Sequence, residues 1–347
     1  GVFAVRQAPV LFHNLRAVLT GGGLRSYHPQ RDYLKLASTG AQSAVADKFG
    51  LRAGGPWLWR GKDRIDRKFM AMFGDYPAMA PPALPAGSVV GLAEAIGPKP
   101  LCGGCGAKLG GQALAGALSA LPLPARADVL SGRGDDAAVL RMAGGVQVIT
   151  TDHLRSFTND ARVMARIAAI HALGDIWAMG AAPQAALAQV ILPRLSDEKA
   201  ADMLAEVMAE AAAVFTAAGA DVVGGHSSVG AELTIGFTVT GLATKAIAKG
   251  GARPGDALIL TKSIGTGTIM AAEMAMARVP GLILGEAVAG ALTSMTQSSG
   301  PAAAILAPVA HAMTDVTGFG LAGHLLEILD ASGCGAEMDV AAIPLLP

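Results

Sequence analysis

Length, composition and charge restrict the classes of protein to which this chain can belong. Its 347 residues are 52% hydrophobic and only 16% charged, which excludes a disordered protein and provides apolar surface for two or three folded domains. Lys and Arg together number 27, as do Asp and Glu, so the net charge is zero. Charge therefore gives no support for a nucleic acid or an anionic membrane as partner, and a small molecule is favoured.

The sequence predicts neither a membrane span nor a disulfide framework. The longest uncharged stretch, residues 287–313, contains Thr, Ser, Gln, Gly and Pro and makes a poor bilayer span. Three cysteines are too few for a disulfide framework, and no segment resembling a secretion signal follows Gly1. We expect a cytoplasmic protein. The lack of an initiator Met, and an ending at Pro347 just after a strand-like run, predict a fragment of a longer protein.

The chain changes character near residue 75. Residues 1–75 contain Trp57, Trp59 and a basic stretch at 62–68. Residues 76–99 are rich in Pro and small residues, which favours an extended linker. Beyond this linker, strand and helix patterns alternate.

The elements after the linker predict an α+β fold in which helices cover antiparallel sheets. Apolar and β-rich runs predict strands at residues 146–151, 233–240 and 257–261. Helical patterns are found at residues 161–179 and 196–218, the second with Ser196 as its N-cap. Between the second helix and the next strand, residues 223–227 (VGGHS) predict a Gly-rich turn.

Four segments place a carboxylate beside small or apolar residues, where an isolated charge is costly to bury. They are GDDAAV at 134–139, TTD at 150–152, GDIWAMG at 174–180 and TDVTGFG at 314–320. Mg²⁺ is held in proteins by one or two carboxylates together with phosphate oxygens, whereas the His and Cys clusters typical of Zn²⁺ are missing from the sequence. The four segments together favour a magnesium and triphosphate site. For any single Asp, the alternative is that it caps a helix or a turn.

Two Gly-rich segments are further candidates. In residues 101–110 (LCGGCGAKLG), backbone N–H groups and Lys108 would bind phosphates, or Cys102 and Cys105 would have a redox or metal role; the residues alone leave both open. In residues 223–227, His226 is placed to touch a phosphate or ribose, although a His in a turn is more often simply exposed.

The acidic and Gly-rich motifs in this order, from about Leu101 onward, resemble those of the selenophosphate synthetases (selenide, water dikinases). The family lies in an ATP-binding superfamily with aminoimidazole ribonucleotide synthetase, thiamine-monophosphate kinase and a hydrogenase maturation protein. The resemblance implies a two-domain α+β fold of the aminoimidazole ribonucleotide synthetase type. Residues 100–248 are then the domain that binds ATP and Mg²⁺, and residues 249–347 are a truncated C-terminal domain.

The resemblance also assigns site residues. It implies that Asp136, Asp175 and Asp315 bind Mg²⁺, and that the ATP phosphates are lined by Lys108, Arg133, Gly134, Asp135 and Asp152, with Asp175 close by. Gly224, Gly225 and His226 are expected to reach the nucleotide held mainly by the other subunit of a homodimer. Cys105 and Lys108 are expected to be catalytic, with Cys105 at the place of the family's reactive Cys or selenocysteine. Ala107 stands where family members commonly have a second Cys.

The implied activity is the ATP-dependent phosphorylation of selenide, with AMP and phosphate as the other products, for selenocysteine and selenouridine synthesis. A kinase of the same superfamily with another substrate, such as a thiamine phosphate, is an alternative, but the thiol-bearing loop argues against it. A second alternative is an oxidoreductase whose C-terminal half senses nucleotide.

The first 75 residues have a resemblance of their own. Residues 1–11 (GVFAVRQAPVL) and 33–36 (YLKL) resemble the C-terminal part of an NADH dehydrogenase-like flavoprotein, a type of oxidoreductase found fused to selenophosphate synthetases. The Gly-rich dinucleotide fingerprint is missing from this stretch. FAD is therefore expected only in the full-length fusion.

Overall fold

The computed structural model describes residues 2–74, 125–130, 135–275 and 283–346, together with positions 89, 90, 114, 277 and 281. The chain divides into two compact units, Gly1–Pro77 and Ala78–Pro347. The predicted linker at 76–99 lies outside the described residues except at two positions, and the loop at 101–110 lies outside them entirely. Among the described helices, none combines the length and the apolar character that a membrane span requires.

The first unit is a small antiparallel meander with a helix at each end. Its elements are α1 (Val2–Thr20), β1 (Lys35–Gly40), β2 (Ser43–Lys48), β3 (Leu51–Gly55) and α2 (Pro56–Gly74). The strands pair in the order β1-β2-β3, and α2 packs mainly on the central strand β2, where Ala44 is fully buried. Pro56 suits the first position of a helix because its missing N–H would have no partner there.

The second unit is built on a five-stranded sheet. Its strands are β4 (Ala138–Met142), β5 (Gly145–Arg155), β6 (Ala182–Pro193), β7 (Asp221–Gly230) and β8 (Thr234–Ala243), in the order β4-β5-β8-β6-β7. The strands predicted at 146–151 and 233–240 correspond to β5 and β8. The sheet is antiparallel as predicted except at β6 and β7, which run parallel because a helix crosses over between them.

Two long helices follow β5 and β6 in sequence. Helix α3 (Ala161–Ala178) begins after Asp160, whose carboxylate accepts hydrogen bonds from two backbone N–H groups of the first turn. Helix α4 (Asp197–Ala217) begins after Ser196, the predicted N-cap, whose hydroxyl accepts from the Lys199 N–H. Helix α3 packs on β5 and β8 and against α4, so it is buried on most of its circumference. It therefore provides a rigid support for any polar side chain that it carries.

Two predicted elements were wrong. Residues 223–227 are not a turn but part of β7, in which the Cβ of any side chain at Gly225 would lie 2.1 Å from the Ala188 carbonyl oxygen. Glycine is needed at position 225 because the backbone of β6 lies too close to leave room for a side chain. In the sequence, a glycine pair that serves such a close approach cannot be distinguished from a glycine pair in a turn. Residues 257–261 form no strand, because no described strand pairs with them.

The rest of the second unit is helical. It contains α5 (Thr266–Met274), α6 (Leu284–Met295), α7 (Gly300–Leu306), α8 (Gly320–Ser332) and a short 3-10 helix, Val340–Ala342. Helices α6 and α7 contact α3, and Met270, Val288 and Ala291 belong to the same apolar core as the sheet. Helix α3 is thus enclosed between the sheet and the C-terminal helices.

We predict that Phe237→Ala destabilises the second unit by about 3–5 kcal/mol, because it removes a large aromatic side chain from a packed core. Phe237 is fully buried in β8, and its ring meets that of Phe215 edge to face with centroids 5.0 Å apart. Urea unfolding followed by Trp177 fluorescence, with Trp57 and Trp59 replaced by Phe, measures the change. Ile305→Ala is the matched control, since Ile305 is 75% exposed; equal losses in both variants would contradict the prediction.

Candidate functional site

Three carboxylates from distant parts of the chain meet beside α3. Asp136 precedes β4, Asp175 is in the last turn of α3, and Asp315 lies in the loop before α8. Each offers an oxygen atom, and these three atoms lie within 4.8 Å of one another. Carboxylate oxygens at this separation suit a hard divalent cation. The role of these residues as metal ligands stays a prediction.

The carboxylate of Asp136 is buried, with its side chain 4% exposed. Its Oδ1 accepts hydrogen bonds from the Thr314 hydroxyl at 3.1 Å and the Lys249 ammonium at 2.9 Å. Its Oδ2 is buried and has no hydrogen-bond partner among the described residues. Burial raises the pKa of Asp136, while the hydrogen bonds from Lys249 and Thr314 oppose the rise. A buried acceptor without a partner is costly, and a cation bound here would remove that cost.

The surroundings of the other two carboxylates are equally specific. The buried Thr150 of β5 donates its hydroxyl proton to Oδ2 of Asp175. At Gly174 a Cβ atom would lie 2.9 Å from Oδ2 of Asp315, so the absence of a side chain at residue 174 leaves space for the Asp315 carboxylate. The three carboxylate oxygens, the buried Oδ2 of Asp136 and the space beside Gly174 thus all fit a divalent cation.

Asp152, which was predicted to line the ATP phosphates, is held by a residue that the sequence did not identify. His171 lies one turn before Asp175 on α3, and its Nε2 is 2.8 Å from Oδ2 of Asp152. The angles at this contact do not make a hydrogen bond, but the distance places the ring against the carboxylate. Because residues i and i+4 share one face of a helix, α3 presents His171 and Asp175 to the same strand, β5.

Asp135, also predicted to be near the phosphates, fixes the loop that carries Lys249. Its Oδ1 accepts a hydrogen bond from the Lys249 backbone N–H at 3.1 Å. The Lys249 ammonium contacts Asp136 and also Oε2 of Glu327 on α8, at 2.8 Å. Burial alone would lower the pKa of Lys249, but its hydrogen bonds to Asp136 and Glu327 and their charges outweigh burial, so the pKa is raised.

The predicted residues Gly224, Gly225 and His226 are not brought to the carboxylates of the same chain. They lie on the edge strand β7, exposed to solvent. Gly225 of β7 pairs with Ala188 of β6, which pairs with Phe237 of β8, which pairs with Asp152 of β5. Three strand spacings separate Gly225 from Asp152, which is roughly 14 Å.

Several predicted site residues lie outside the described part of the chain. These are Cys102, Cys105, Lys108, Arg133 and Gly134. Their expected roles stay predictions.

Known proteins resemble this chain over most of its length. It is 38% identical over 251 residues to the selenide, water dikinase of Myxococcus xanthus, covering 71% of this chain and 70% of that relative. The chain belongs to the selenide, water dikinase family. A second dikinase, from Nitratidesulfovibrio vulgaris strain Miyazaki F, is 40% identical over 218 residues, which are 61% of this chain and 60% of that relative. The chain thus spans 60 to 70% of the length of these two dikinases.

The fold agrees with this membership. Residues 134–243 match the family model for the N-terminal domain of AIR synthase related proteins, and residues 253–346 match the model for the C-terminal domain. The thiamine-monophosphate kinase of Stenotrophomonas maltophilia K279a has a similar structure, with a TM-score of 0.51 and 24% identity, over 64% of this chain and 72% of the kinase. At this identity the likeness shows the fold alone. The predicted two-domain fold is confirmed.

Around this carboxylate cluster lie four residues that the sequence did not identify as site residues: Thr150, His171, Lys249 and Glu327. Thr150 is part of the TTD motif, but nothing in the sequence shows that its side chain faces Asp175. The spacing of His171 and Asp175 was an available signal, because a His four residues before a buried Asp lies on the same helix face. Lys249 and Glu327 lie in segments without a motif and become neighbours only through folding.

We predict that Asp315→Asn stabilises the metal-free protein by about 0.5–2 kcal/mol, because it removes one of three mutually repelling, partly buried charges. The same change should abolish most of the stabilisation that Mg²⁺ or Mn²⁺ gives to the unsubstituted protein. Melting temperatures in EDTA and in millimolar Mg²⁺ measure both effects. Asp330→Asn on the exposed side of α8 is the control and should change neither; a destabilised Asp315→Asn that still responds to Mg²⁺ would contradict the prediction.

Proposed function

We propose that this protein makes selenophosphate from ATP, selenide and water, with AMP and phosphate as the other products. The observation that carries the proposal is the 38% identity to a selenide, water dikinase over 251 residues. The convergence of Asp136, Asp175 and Asp315 within 4.8 Å supports the proposal, because such a group suits the divalent cation that accompanies ATP.

In the proposed reaction, selenium of selenide attacks the γ-phosphorus of ATP and the bond to the β,γ-bridging oxygen breaks. Water then cleaves the remaining diphosphate to AMP and phosphate. Mg²⁺, when bound, neutralises charge on the phosphate oxygens. Asp136, Asp175 and Asp315 would hold this cation. Positioning and electrostatics supply most of the rate in phosphoryl transfer.

The remaining predicted residues have defined parts in this proposal. Asp152, kept in place by His171, would orient the triphosphate and its cation at the end of β5 nearest α3. Lys108 would neutralise the transferred phosphoryl group, and Cys105 would carry or deliver selenium. Arg133, Gly134 and Asp135 would line the phosphates. The protein would act in the cytoplasm.

We also propose that the active form is a homodimer in which β7 of one subunit reaches the nucleotide of the other. The position of the Gly224, Gly225 and His226 segment supports this, since Gly225 lies three strand spacings, roughly 14 Å, from Asp152 of its own chain. The sheet surface beside it supports it too: Leu187, Ile191, Val223 and Val229 are exposed apolar residues on β6 and β7. Exposed apolar residues on an edge strand favour association with another chain.

For the first unit we propose an origin in an oxidoreductase of the NADH dehydrogenase type, fused to the dikinase. Its sequence resemblance and its separate folding as Gly1–Pro77 support the proposal. The two family models match only residues after 133. FAD would then be bound only in the complete fusion.

We predict that the full-length protein releases AMP from ATP only when selenide is present. Asp175→Asn should lower kcat/KM for this reaction by at least about 100-fold, because it weakens electrostatic stabilisation of the transferring group. An anaerobic assay of AMP by chromatography measures both effects.

Asp197→Asn, an exposed carboxylate in the first turn of α4, is the control and should keep full activity. AMP release that is indifferent to selenide would reject the assigned reaction. Full activity of Asp175→Asn would reject the role of the carboxylate cluster but leave the reaction standing.

The proposed dimer makes a separate prediction about the mass of the protein in solution. Val229→Asp places a charge on an edge-strand residue that is 67% exposed in the single chain, and it should convert the protein to a monomer because burying an unpaired charge in an interface is costly. Sedimentation velocity measures the change in mass. Val309→Asp, at a residue 72% exposed but distant from the sheet in sequence, should remain dimeric, and a monomeric unsubstituted protein would overturn the dimer proposal.

A further inference from the structure

Lys249 is the one buried lysine among the described residues, and its position is fixed at both ends. Its side chain is 9% exposed. The ammonium lies 2.9 Å from Oδ1 of Asp136 and 2.8 Å from Oε2 of Glu327. Its backbone N–H donates to Asp135. A long, flexible side chain held in this way has little freedom to leave the cluster.

The ammonium uses only half of the Asp136 carboxylate. It contacts Oδ1, whereas Oδ2 remains buried without a partner among the described residues. Asp136 therefore presents one oxygen to a cation that belongs to the chain and keeps the other available for a cation from solution. The two cations would share a single carboxylate at short distance.

The summed charge of this cluster determines how strongly it attracts a divalent cation. Asp136, Asp175, Asp315 and Glu327 carry four negative charges when ionised and Lys249 carries one positive charge, so the group has a net charge of minus three. A free divalent cation is attracted by this charge but repelled by the neighbouring ammonium. Phosphate oxygens of a nucleotide would add further negative charge and complete the coordination that Mg²⁺ prefers.

We propose that Lys249 is a resident counter-ion that weakens binding of a free divalent cation, so that the cation binds tightly only together with the nucleotide phosphates. Lys249 is thus a positioning residue for Asp136 and sets the order in which the site is filled. Glu327 moderates the effect, because it shares the ammonium with Asp136. The inference rests on the proposed function, since it takes Asp136, Asp175 and Asp315 as the ligands of the cation.

The test measures binding of Mn²⁺, as a probe for Mg²⁺, by electron paramagnetic resonance of the free ion, with the full-length protein and without turnover. For the unsubstituted protein we expect binding at least tenfold weaker without than with a non-hydrolysable ATP analogue. Lys249→Met should tighten binding of Mn²⁺ alone about tenfold, equivalent to about 1.4 kcal/mol, and thereby reduce the effect of the nucleotide. Lys249→Arg, which keeps the charge, should restore the unsubstituted behaviour.

Two further variants make the result decisive even if Lys249→Met does not fold. Glu327→Gln leaves the ammonium to Asp136 alone and should weaken binding of Mn²⁺ alone; the Glu327 side chain is 35% exposed, so the substitution is compatible with folding. Lys245→Met, at an exposed lysine four residues earlier, is the matched control and should have no effect.

The outcomes separate this inference from the proposed function. If Asp136→Asn leaves Mn²⁺ binding unchanged, the metal site itself is wrong. If Asp136→Asn abolishes binding but neither Lys249→Met nor Glu327→Gln changes the affinity for Mn²⁺ alone in the expected direction, Lys249 has only a structural role and the inference is overturned.

Discussion

Repulsion among buried carboxylates is the constraint on which the site of this protein depends. Asp136, Asp175 and Asp315 come within 4.8 Å of one another, and like charges at this distance in a partly buried position destabilise a folded chain unless a cation compensates them. The chain supplies one such cation, Lys249, and two hydroxyl donors, Thr150 and Thr314. Oδ2 of Asp136 is buried and has no hydrogen-bond partner in the part of the chain that the structure describes. A site that retains such a cost is typical of a place where function, and not stability, determines the residues.

Helix α3 makes this arrangement possible because it is enclosed on nearly all sides. A buried helix carries its polar side chains in fixed directions, since neither the backbone nor the neighbouring rotamers can adjust at low cost. The sheet provides the opposite wall, with Thr150 facing Asp175 and Asp152 facing His171. The C-terminal helices add Glu327 of α8 to the same cluster. Residues from both family-model segments therefore contribute to one group of charges.

The edge strand β7, unlike the buried helix α3, is exposed to solvent. Its residues are exposed, its glycines allow a very close approach to β6, and apolar side chains lie beside it on the sheet surface. Among the described residues, no further strand pairs with its outer edge, and such an edge favours association with another chain. The same features make it suited to complete a neighbouring subunit, which is the reason that the nucleotide site is proposed to be shared.

The sequence by itself determined the α+β class, the two long helices and the N-cap Ser196 of the second, and it predicted that the four acidic segments belong to one site. It could do so because caps, hydrophobic periodicity and charges flanked by apolar residues are local signals. The turn predicted at residues 223–227 was wrong, because a Gly-Gly pair indicates either a turn or a close backbone approach. The strand predicted at 257–261 was wrong, because none of the described strands pairs with these residues.

Only the tertiary structure decided which groups meet. Lys249 and Glu327 are 78 positions apart and in segments without a motif, yet they share a partly buried hydrogen bond. His171 reaches Asp152 because a helix face happens to lie over a particular strand. Such neighbours depend on how distant elements pack, and packing is decided by the sum of many weak contacts over the whole chain, which no single stretch of sequence contains.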